Sequence, residues 1–475
     1  MSTSNRITPI EWEELPAQKN VDLENNSIEM QKESDSTDAW LPITESREGN
    51  VWSCIFHLVS SRLGTQALFL PVAFATLGWV WGVIYLSLGF VWQLYTGWLL
   101  VHLHESSSGV RYSRFLQLAS TAFGPKLAKW LCTFPVLYLS GGTCTILVVT
   151  GGSTLKLLYD VICSQLSHCP KNLDTSIWFL IFVLIASLLS QHPSLNSLRW
   201  VSFLGSIVSL LIFAILWITS IAKGSIKDAS YNPTYEDLGD KLTSFISTIF
   251  AMELIALSFR GHNLILEIQG TLPSNSKHPS HITMWKALQF SYLLVALCIF
   301  PLAIAGYWAY GDKMTRTGML YALREFHKDK GSTTILGLIL VLLSVHQLCS
   351  YPVYAMPTYD NFELRYVMAK KKQCPVWMRR TFRLFYCFAV NFFLAMALPF
   401  LPSLAPITGA IAMVLTFSYP CIMYVCIKKP KVWEPMFLLN WGLGCLGVVL
   451  SVIYFIVSIW VLSREGLTAN FFNPN

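Results

Sequence analysis

The sequence predicts an all-α, polytopic membrane protein, and three observations lead to this fold class. Of the 475 residues, 53% are hydrophobic, 14% are aromatic and only 13% are charged, whereas soluble proteins carry about 25% charged residues. Apolar runs of about 20 residues, the length that crosses the hydrocarbon core of a bilayer, recur from Val51 to Leu462. No gap between these runs could hold a soluble domain, so we expect one transmembrane domain over residues 50–475.

Residues 1–49 differ from the rest of the chain. This stretch is rich in Ser, Glu, Asp and Asn, so it cannot bury a hydrophobic core and is predicted to be a disordered cytoplasmic tail. It contains no apolar signal-peptide core, and the first membrane helix is therefore the expected insertion signal.

The apolar runs predict about eleven transmembrane helices. They lie at roughly residues 51–76, 79–103, 126–158, 176–191, 198–222, 241–266, 284–310, 332–358, 382–400, 403–427 and 436–462. An odd number of helices places the two termini on opposite sides of the membrane. Lys and Arg are more frequent in the loops on the side of the amino terminus, so the positive-inside rule predicts that this terminus is cytoplasmic.

The net charge and the cysteines exclude several classes of protein. A formal net charge of +7 is typical of an orientation signal in a membrane protein, so we expect no nucleic-acid partner. The 12 cysteines show no metal-ligand spacing, and we expect neither a metal nor a cofactor. Cys163 and Cys169 fall in one predicted non-cytoplasmic loop, where a disulfide can form.

Two of the predicted helices contain interruptions. Helix 1 reads HLVSSRLGTQALFLPVAF, with Arg62 and Gly64 near its middle and Pro71 beyond, and helix 6 reads AMELIALSFRGHNLILEIQG, with a break around Gly261. Gly and Pro weaken the intrahelical hydrogen bonds, and a freed backbone group inside a bilayer needs a polar partner. Breaks in helices 1 and 6 predict two inverted five-helix repeats with a binding site between them, the architecture of secondary transporters.

Charged side chains mark the same two helices. Arg62, Glu253 and Arg260 each cost about 2.5–3.5 kcal/mol at the centre of a bilayer, so they should face protein or a water-filled cavity. One interpretation is an ion pair between Arg62 and Glu253 that fastens helix 1 to helix 6, and the other is a role in ligand binding or ion coupling. His346 of helix 8 is either a proton carrier or a hydrogen-bonded interior histidine.

The motifs of soluble enzymes are missing from the sequence. GLGCLG at residues 442–447 matches a dinucleotide-binding pattern by letter, but it lies inside an apolar helix, where its glycines favour close helix packing. No HExxH motif, P-loop or paired nucleophile and base occurs. We therefore do not expect an enzyme.

Four blocks of residues, LGWVWG, GHNLILEIQGTLP, FPLAIAGYWAYG and YPVYAMPTYDNFE, closely resemble the amino acid/auxin permease family of plants, particularly its lysine/histidine-transporter-like branch. The resemblance extends from about Leu41 to Phe472. It implies a LeuT/APC-like carrier of the amino acid–polyamine–organocation superfamily that imports amino acids together with protons, usually at the plasma membrane.

Matched to the family position by position, the sequence shows both agreement and departure. In the family, a Gly-x-Gly segment in the broken helix 1 receives the substrate carboxylate; here it reads Gly64-Thr65-Gln66, with Gln66 in place of the second glycine. On helix 6, Phe259 fits the aromatic lid position, whereas Arg260 stands where the family has alanine. Arg62 is likewise an addition. His346 and Ser350 match their counterparts on helix 8.

We therefore predict a proton-coupled symporter of amino acids or related small carboxylates. The alternative is a nutrient receptor on the same fold that binds its ligand without transporting it, with the cycle arrested by Arg62 or Arg260. The added arginines could select a more anionic ligand, replace a coupling cation, or be neutralised by Glu253. The predicted substrate-binding residues are Gly64, Thr65, Gln66, Ser258, Phe259, Arg260 and Gly261, and the predicted coupling and charge network consists of Arg62, Glu253, His346 and Ser350.

Overall fold

The computed structural model describes residues 38–106, 109–164, 173–233, 241–275, 277–314, 316–327, 329–466 and 470–474. Within these ranges the regular structure is helical, and the β-structure is one isolated bridge between Glu105 and Arg111. The predicted all-α class is confirmed. Of the predicted tail, only the part from Asp38 onwards lies within the described residues. Cys169 lies outside them, so its disulfide with Cys163 stays a prediction.

Eight helices in the described ranges are long and apolar enough to cross a membrane, and a shorter apolar helix covers Thr175–Leu189. The long helix Leu70–Leu103 comprises the end of the first predicted segment and the whole of the second. The two segments are separated at Gly78, where the backbone leaves the helical conformation (φ 73°, ψ 179°). The protein is therefore a multi-pass membrane protein. The number of eleven helices stays a prediction, and we keep its numbering.

The membrane helices have the following bounds. Helix 1 comprises Val51–Arg62, Thr65–Phe69 and residues 70–77; helix 2 is 79–103; helix 3 is Pro125–Leu137, Tyr138–Gly142 and Thr143–Cys163; helix 4 is Thr175–Leu189; helix 5 is Arg199–Lys223; helix 6 is Lys241–Leu257, His262–Leu264 and Ile265–Gly270; helix 7 is Ser280–Tyr310; helix 8 is Lys330–Lys370; helix 9 is Val376–Phe385, Tyr386–Phe392 and Phe393–Ala397; helix 10 is Leu401–Leu404, Ala405–Met413, Val414–Ser418 and Tyr419–Lys428; and helix 11 is Pro435–Glu465.

Some elements differ from the sequence prediction. Two short helices, Phe115–Phe123 and Met319–Phe326, were not predicted, because an amphipathic helix of this length does not form a membrane-spanning apolar run. Helix 8 continues to Lys370 instead of ending near residue 358. The apolar run ends there because charged residues follow, but in the structure these charges are paired with arginines and the helix continues.

Helices 1 and 6 are both interrupted, as predicted, and the interruptions meet. Helix 1 loses its helical conformation at Leu63 (φ −81°, ψ 90°) and Gly64 (φ −114°, ψ 175°). Helix 6 is interrupted after Leu257, and Gly261 adopts a left-handed conformation (φ 83°, ψ 9°), which glycine tolerates best. A Cβ atom added at Gly261 would lie 2.9 Å from Ser61 Oγ. The two breaks are therefore in direct contact.

Candidate functional site

A small cavity lies beside the break in helix 6 and has a volume of ≈ 50 Å³, which leaves room for only a few water molecules. It is lined by side chains from helices 1, 3, 6 and 10, among them Gln66, Tyr138, Phe259, Arg260 and Thr416. The polar residues are concentrated at the helix breaks, whereas helix 10 contributes mainly small and apolar residues. We call this space the central cavity.

The Arg260 guanidinium crosses from helix 6 to two other helices. Its Nη1 donates to Gln66 Oε1 of helix 1 at 2.7 Å, and its Nη2 donates to Thr143 Oγ1 of helix 3 at 3.0 Å. The guanidinium also lies 5.4 Å from the centre of the Tyr354 ring of helix 8, within the range of cation–π attraction. In the described part of the chain no carboxylate pairs with it. Arg260 is therefore a fixed positive charge at the central cavity.

The backbone of helix 1 has hydrogen-bond donors close to Arg260, although Gly64 and Thr65, unlike Gln66, do not line the central cavity. No side chain caps the short turn Thr65–Phe69, and the Ala67 amide bonds back to the Gly64 carbonyl. The amides of Thr65 and Gln66 have no backbone partner among the described residues, as expected at the start of a helical segment. A Cβ added at Gly64 would lie 3.2 Å from Arg260 Nη1, so these amides and the guanidinium adjoin.

The remaining predicted substrate-binding residues of helix 6 have different surroundings. Phe259 is buried, lines the central cavity and has its ring centre 6.4 Å from that of Phe90 on helix 2. Ser258 Oγ donates to the Ile255 carbonyl at 2.7 Å, so its hydroxyl serves the end of the helix. Gly261 supplies the left-handed turn and also lines the cavity.

Arg62 and Glu253 do not form the ion pair that one interpretation of the sequence expected. The Arg62 guanidinium lies 4.3 Å from the centre of the Tyr292 ring of helix 7, and its Nε and Nη2 have no hydrogen-bond partner in the described ranges. Glu253 is fully buried, and its Oε2 accepts a hydrogen bond from Ser458 Oγ of helix 11 at 2.6 Å. The other carboxylate oxygen, Oε1, has no partner there. Glu253 is thus separated from both arginines.

His346 and Ser350 contact the first half of helix 1. Ser350 Oγ donates to the Ser60 carbonyl at 3.2 Å and lies 3.5 Å from His346 Nε2. His346 Nδ1 lies 3.3 Å from the Gly205 carbonyl of helix 5. Tyr354, one turn further along helix 8, donates to the Ser61 carbonyl at 2.5 Å. Helix 8 therefore holds the last turn of helix 1 before its break.

A row of ion pairs lies on the side of the membrane domain where residues 38–50 enter, which we call the tail side. Arg114 Nε lies 2.5 Å from Asp360 Oδ2 at the end of helix 8, and Arg114 Nη1 lies 3.4 Å from Asp38 Oδ1. Arg47 Nη2 pairs with the same Asp38 at 2.8 Å. These pairs tie the segment before helix 1 to helix 8.

Two further tail-side features surround these pairs. Glu363 lies 2.9 Å from Arg379 Nε and 3.4 Å from Arg383 Nη2, which joins helix 8 to helix 9. Burial, together with the nearby Arg111 and Arg47, holds the pKa of His104 well below its usual range, so this imidazole is neutral near pH 7. The tail side is closed by buried and half-buried charges.

The opposite side, which we call the far side, contains a cavity of ≈ 600 Å³ between the second half of helix 1 and the first half of helix 6. It is lined by Val72 and Thr76 of helix 1, Leu254 of helix 6, Arg316 of the loop after helix 7 and Arg464 of helix 11. Ala256 and Leu257, within one turn of Leu254, line the central cavity. We call this larger space the vestibule, and it lies next to the central cavity along helix 6.

Sequence reasoning missed several residues of the site. Thr143, Tyr354 and Tyr292 contact the two arginines from helices 3, 8 and 7. Thr143 directly follows a turn of π-helix, Tyr138–Gly142. A single hydroxyl or ring in an apolar helix gives no sequence signal of its own, because its role depends on the partner that the fold brings to it.

Comparisons with known proteins agree with this architecture. The model of the family described as transmembrane amino acid transporter protein matches residues 47–462. Lysine histidine transporter-like 7 of Arabidopsis thaliana is 47% identical over 436 residues, which cover 92% of this chain and 90% of the relative. Lysine histidine transporter-like 8 of the same plant is 44% identical over 438 residues, which cover 92% of this chain and 83% of the relative.

Solved structures show the same fold at low sequence identity. The crystal structure of MhsT in complex with L-phenylalanine superimposes with a TM-score of 0.58 at 12% identity and covers 87% of this chain and 99% of MhsT. A Na⁺-coupled sialic acid symporter superimposes with a TM-score of 0.52 at 12% identity, covering 91% of this chain and 93% of the symporter. The family match and the plant relatives confirm the resemblance drawn from the sequence: the chain belongs to the transmembrane amino acid transporter family, in its lysine/histidine-transporter-like branch.

Proposed function

We propose that this protein is a secondary active transporter that moves amino acids or related small carboxylates across a membrane together with protons. The observation that carries the proposal is the Arg260 guanidinium, which lines the central cavity without a carboxylate partner in the described part of the chain. Arg260 is partly buried, and the two side chains that accept hydrogen bonds from it, Gln66 and Thr143, are uncharged. A substrate carboxylate would supply the anion that compensates the charge.

The substrate carboxylate binds at the break in helix 1 in this proposal. The amides of Thr65 and Gln66, which have no partner among the described residues, lie at the start of a helical segment whose dipole is positive at this end, and Arg260 Nη1 lies beside Gly64. Phe259 then covers the substrate from helix 6. Half-helix ends that meet a carboxylate in this way are a feature of transporters with broken helices.

Glu253 and His346 are the candidates for proton coupling. Glu253 is fully buried on the first half of helix 6, and one of its oxygens has no partner in the described ranges. A carboxyl group in such a place changes its hydration when the helix moves, so its proton affinity depends on the conformation. His346 contacts helix 1 through Ser350. Each group touches a helix whose movement would open or close the central cavity.

Uptake into proteoliposomes tests the proposal. We expect labelled amino acids to accumulate under an inward proton gradient and the accumulation to collapse on addition of a protonophore. Glu253→Gln should abolish the response to the gradient if Glu253 is the coupling group, with Glu434→Gln as a control that removes an exposed carboxylate. Uptake that ignores both the gradient and the protonophore would disprove proton coupling.

The alternative is a nutrient receptor that binds its ligand without transport. The small central cavity favours it, because Arg260 and Gln66 occupy space that a transported substrate would need. A receptor would be stabilised by its ligand in a thermal shift assay and would show no flux, and Arg260→Ala would restore flux.

For the location, we propose the plasma membrane with a cytoplasmic amino terminus and the carboxyl terminus on the opposite side.

A further inference from the structure

The charges around the central cavity do not balance. Arg260 lines the cavity, and no Asp or Glu does so among the described residues. Arg62, which packs against the same helix breaks, makes no ion pair in these ranges and leaves two of its nitrogens without hydrogen-bond partners. The nearest expected counterion, Glu253, is bonded to Ser458 instead. The site therefore carries an excess of positive charge that the described part of the chain does not neutralise.

A neutral amino acid does not correct this excess, because it brings one positive and one negative group. An amino acid with a second carboxylate carries a net charge of −1 and reduces the excess by one. We propose that the site selects amino acids bearing a second carboxylate, and that Arg260 pairs with one of the two carboxylates. This inference rests on the proposed transport function and names the substrate class of the same site.

The position of Arg260 fits this role. Gln66 and Thr143 each accept one hydrogen bond from the guanidinium, which leaves about three of its five N–H donors for a ligand. These two neutral acceptors orient the side chain without cancelling its charge. A planar guanidinium held in this way can donate two parallel hydrogen bonds to one carboxylate.

The second carboxylate has its own donors close by. The free amides of Thr65 and Gln66 lie at the start of the turn that follows Gly64, and a Cβ at Gly64 would be 3.2 Å from Arg260 Nη1. Because the guanidinium and the amides adjoin, a short molecule can reach both with its two acidic groups.

The surroundings of the cavity disfavour substrates of the opposite charge. A lysine-like side chain would bring an ammonium group close to Arg260, where like charges repel strongly because little water screens them.

Pairs of substrates that differ by one charge test the proposal. We expect uptake of aspartate over asparagine, and of glutamate over glutamine, with a preference in kcat/KM of at least about tenfold at pH 7, which corresponds to about 1.4 kcal/mol. Arg260→Ala should remove this preference. Arg260→Lys should keep part of it, because the charge remains and the paired hydrogen bonds are lost.

Controls separate the two proposals. Arg365→Ala removes an exposed arginine far along helix 8 and should leave the preference unchanged, and size-exclusion profiles identify a variant that fails to fold. Strong uptake of asparagine with little uptake of aspartate would overturn the charge selection and leave amino acid transport intact. If no amino acid is transported, thermal stabilisation by aspartate and not by asparagine would still support charge selection, and stabilisation by neither would overturn it.

Discussion

Gln66 and Arg260 are two positions at which the resemblance implies a departure from the family pattern, and the structure joins them. Arg260 Nη1 donates to Gln66 Oε1 at 2.7 Å. Without Gln66, Arg260 would keep only its longer hydrogen bond, the one to Thr143 Oγ1 at 3.0 Å. Together, Gln66 and Arg260 form one polar contact between helices 1 and 6, so mutagenesis should substitute both residues in the same variant.

The break in helix 6 depends on Gly261, and we expect Gly261→Ala to damage both stability and transport. A left-handed conformation costs a residue with a Cβ about 1–2 kcal/mol, and the added methyl group would lie 2.9 Å from Ser61 Oγ. Thermal unfolding in detergent and uptake by proteoliposomes measure the two effects.

Gly224→Ala is a control for a positive-φ glycine outside the site. Gly224 has φ 77° and ψ 177°, a conformation that is essentially restricted to glycine, but no atom lies within 4 Å of its added Cβ. Its variant should therefore lose stability through the backbone alone and keep normal uptake. If Gly261→Ala also transports normally, the contact between the breaks has no role in transport.

The sequence predicted the two breaks better than it predicted the contacts of their side chains. Gly64 and Gly261 interrupt apolar runs beside charged residues, and the sequence alone shows these interruptions. The sequence does not show the partners of those charges. Arg260 contacts Thr143, which is 117 positions away, and Glu253 contacts Ser458 instead of an arginine. Hydroxyl groups are frequent in apolar helices, so no pattern marks the one that the fold selects.

At the level of the elements, helix 8 connects the site with the tail side. Tyr354 donates to the Ser61 carbonyl beside the break in helix 1, and Asp360 and Glu363 lie in the ion pairs of the tail side. The sequence did not predict this continuity, because Pro352 and Pro357 and the first charged residues are typical of a helix end. The arginines that pair with those charges come from other helices and loops.

Asp360→Asn should weaken the closure of the tail side. Arg114 would then be half-buried without its main counterion, since the Asp360 side chain is 1% exposed and that of Arg114 is 13% exposed. Breaking such a pair costs roughly 3–5 kcal/mol when it is fully buried. We expect helix 1 to loosen and Cys54, which is fully buried there, to react with a membrane-permeant maleimide several times faster.

Glu434→Gln is the control for this labelling experiment, because it removes an exposed carboxylate outside the ion pairs. Mass spectrometry of the labelled peptides identifies Cys54 among the other cysteines. Unchanged labelling in Asp360→Asn would mean that other contacts of residues 38–50 hold the tail side closed.

The whole molecule is asymmetric across its centre. On the tail side, ion pairs join residues 38–50 to helix 8, whereas on the far side the vestibule of ≈ 600 Å³ lies beside the central cavity. This arrangement fits a conformation that is closed on one side, as alternating access around a fixed site requires. Composition and hydropathy predicted the membrane domain, but they carry no information about which side is closed.

The predicted topology gives a test at the same scale. An odd number of membrane crossings and the distribution of Lys and Arg place the termini on opposite sides, with the amino terminus in the cytoplasm. We expect an epitope tag at the carboxyl terminus to bind antibody in intact cells and a tag at the amino terminus to bind only after permeabilisation. Both tags on one side would show that the number of crossings is even.

The unbroken length of helix 8 also has a mechanical consequence. About 14 residues separate His346, beside helix 1, from Asp360 at the tail side, which corresponds to about 21 Å along the helix axis. Pro352 and Pro357 lie within this stretch and remove backbone hydrogen bonds, so the helix can also bend there. Tilting the stretch by about 6° around His346 would carry Asp360 roughly 2 Å sideways. Such a shift is enough to separate Asp360 from Arg114, so a small rearrangement around a bound substrate could release the opposite face of the protein.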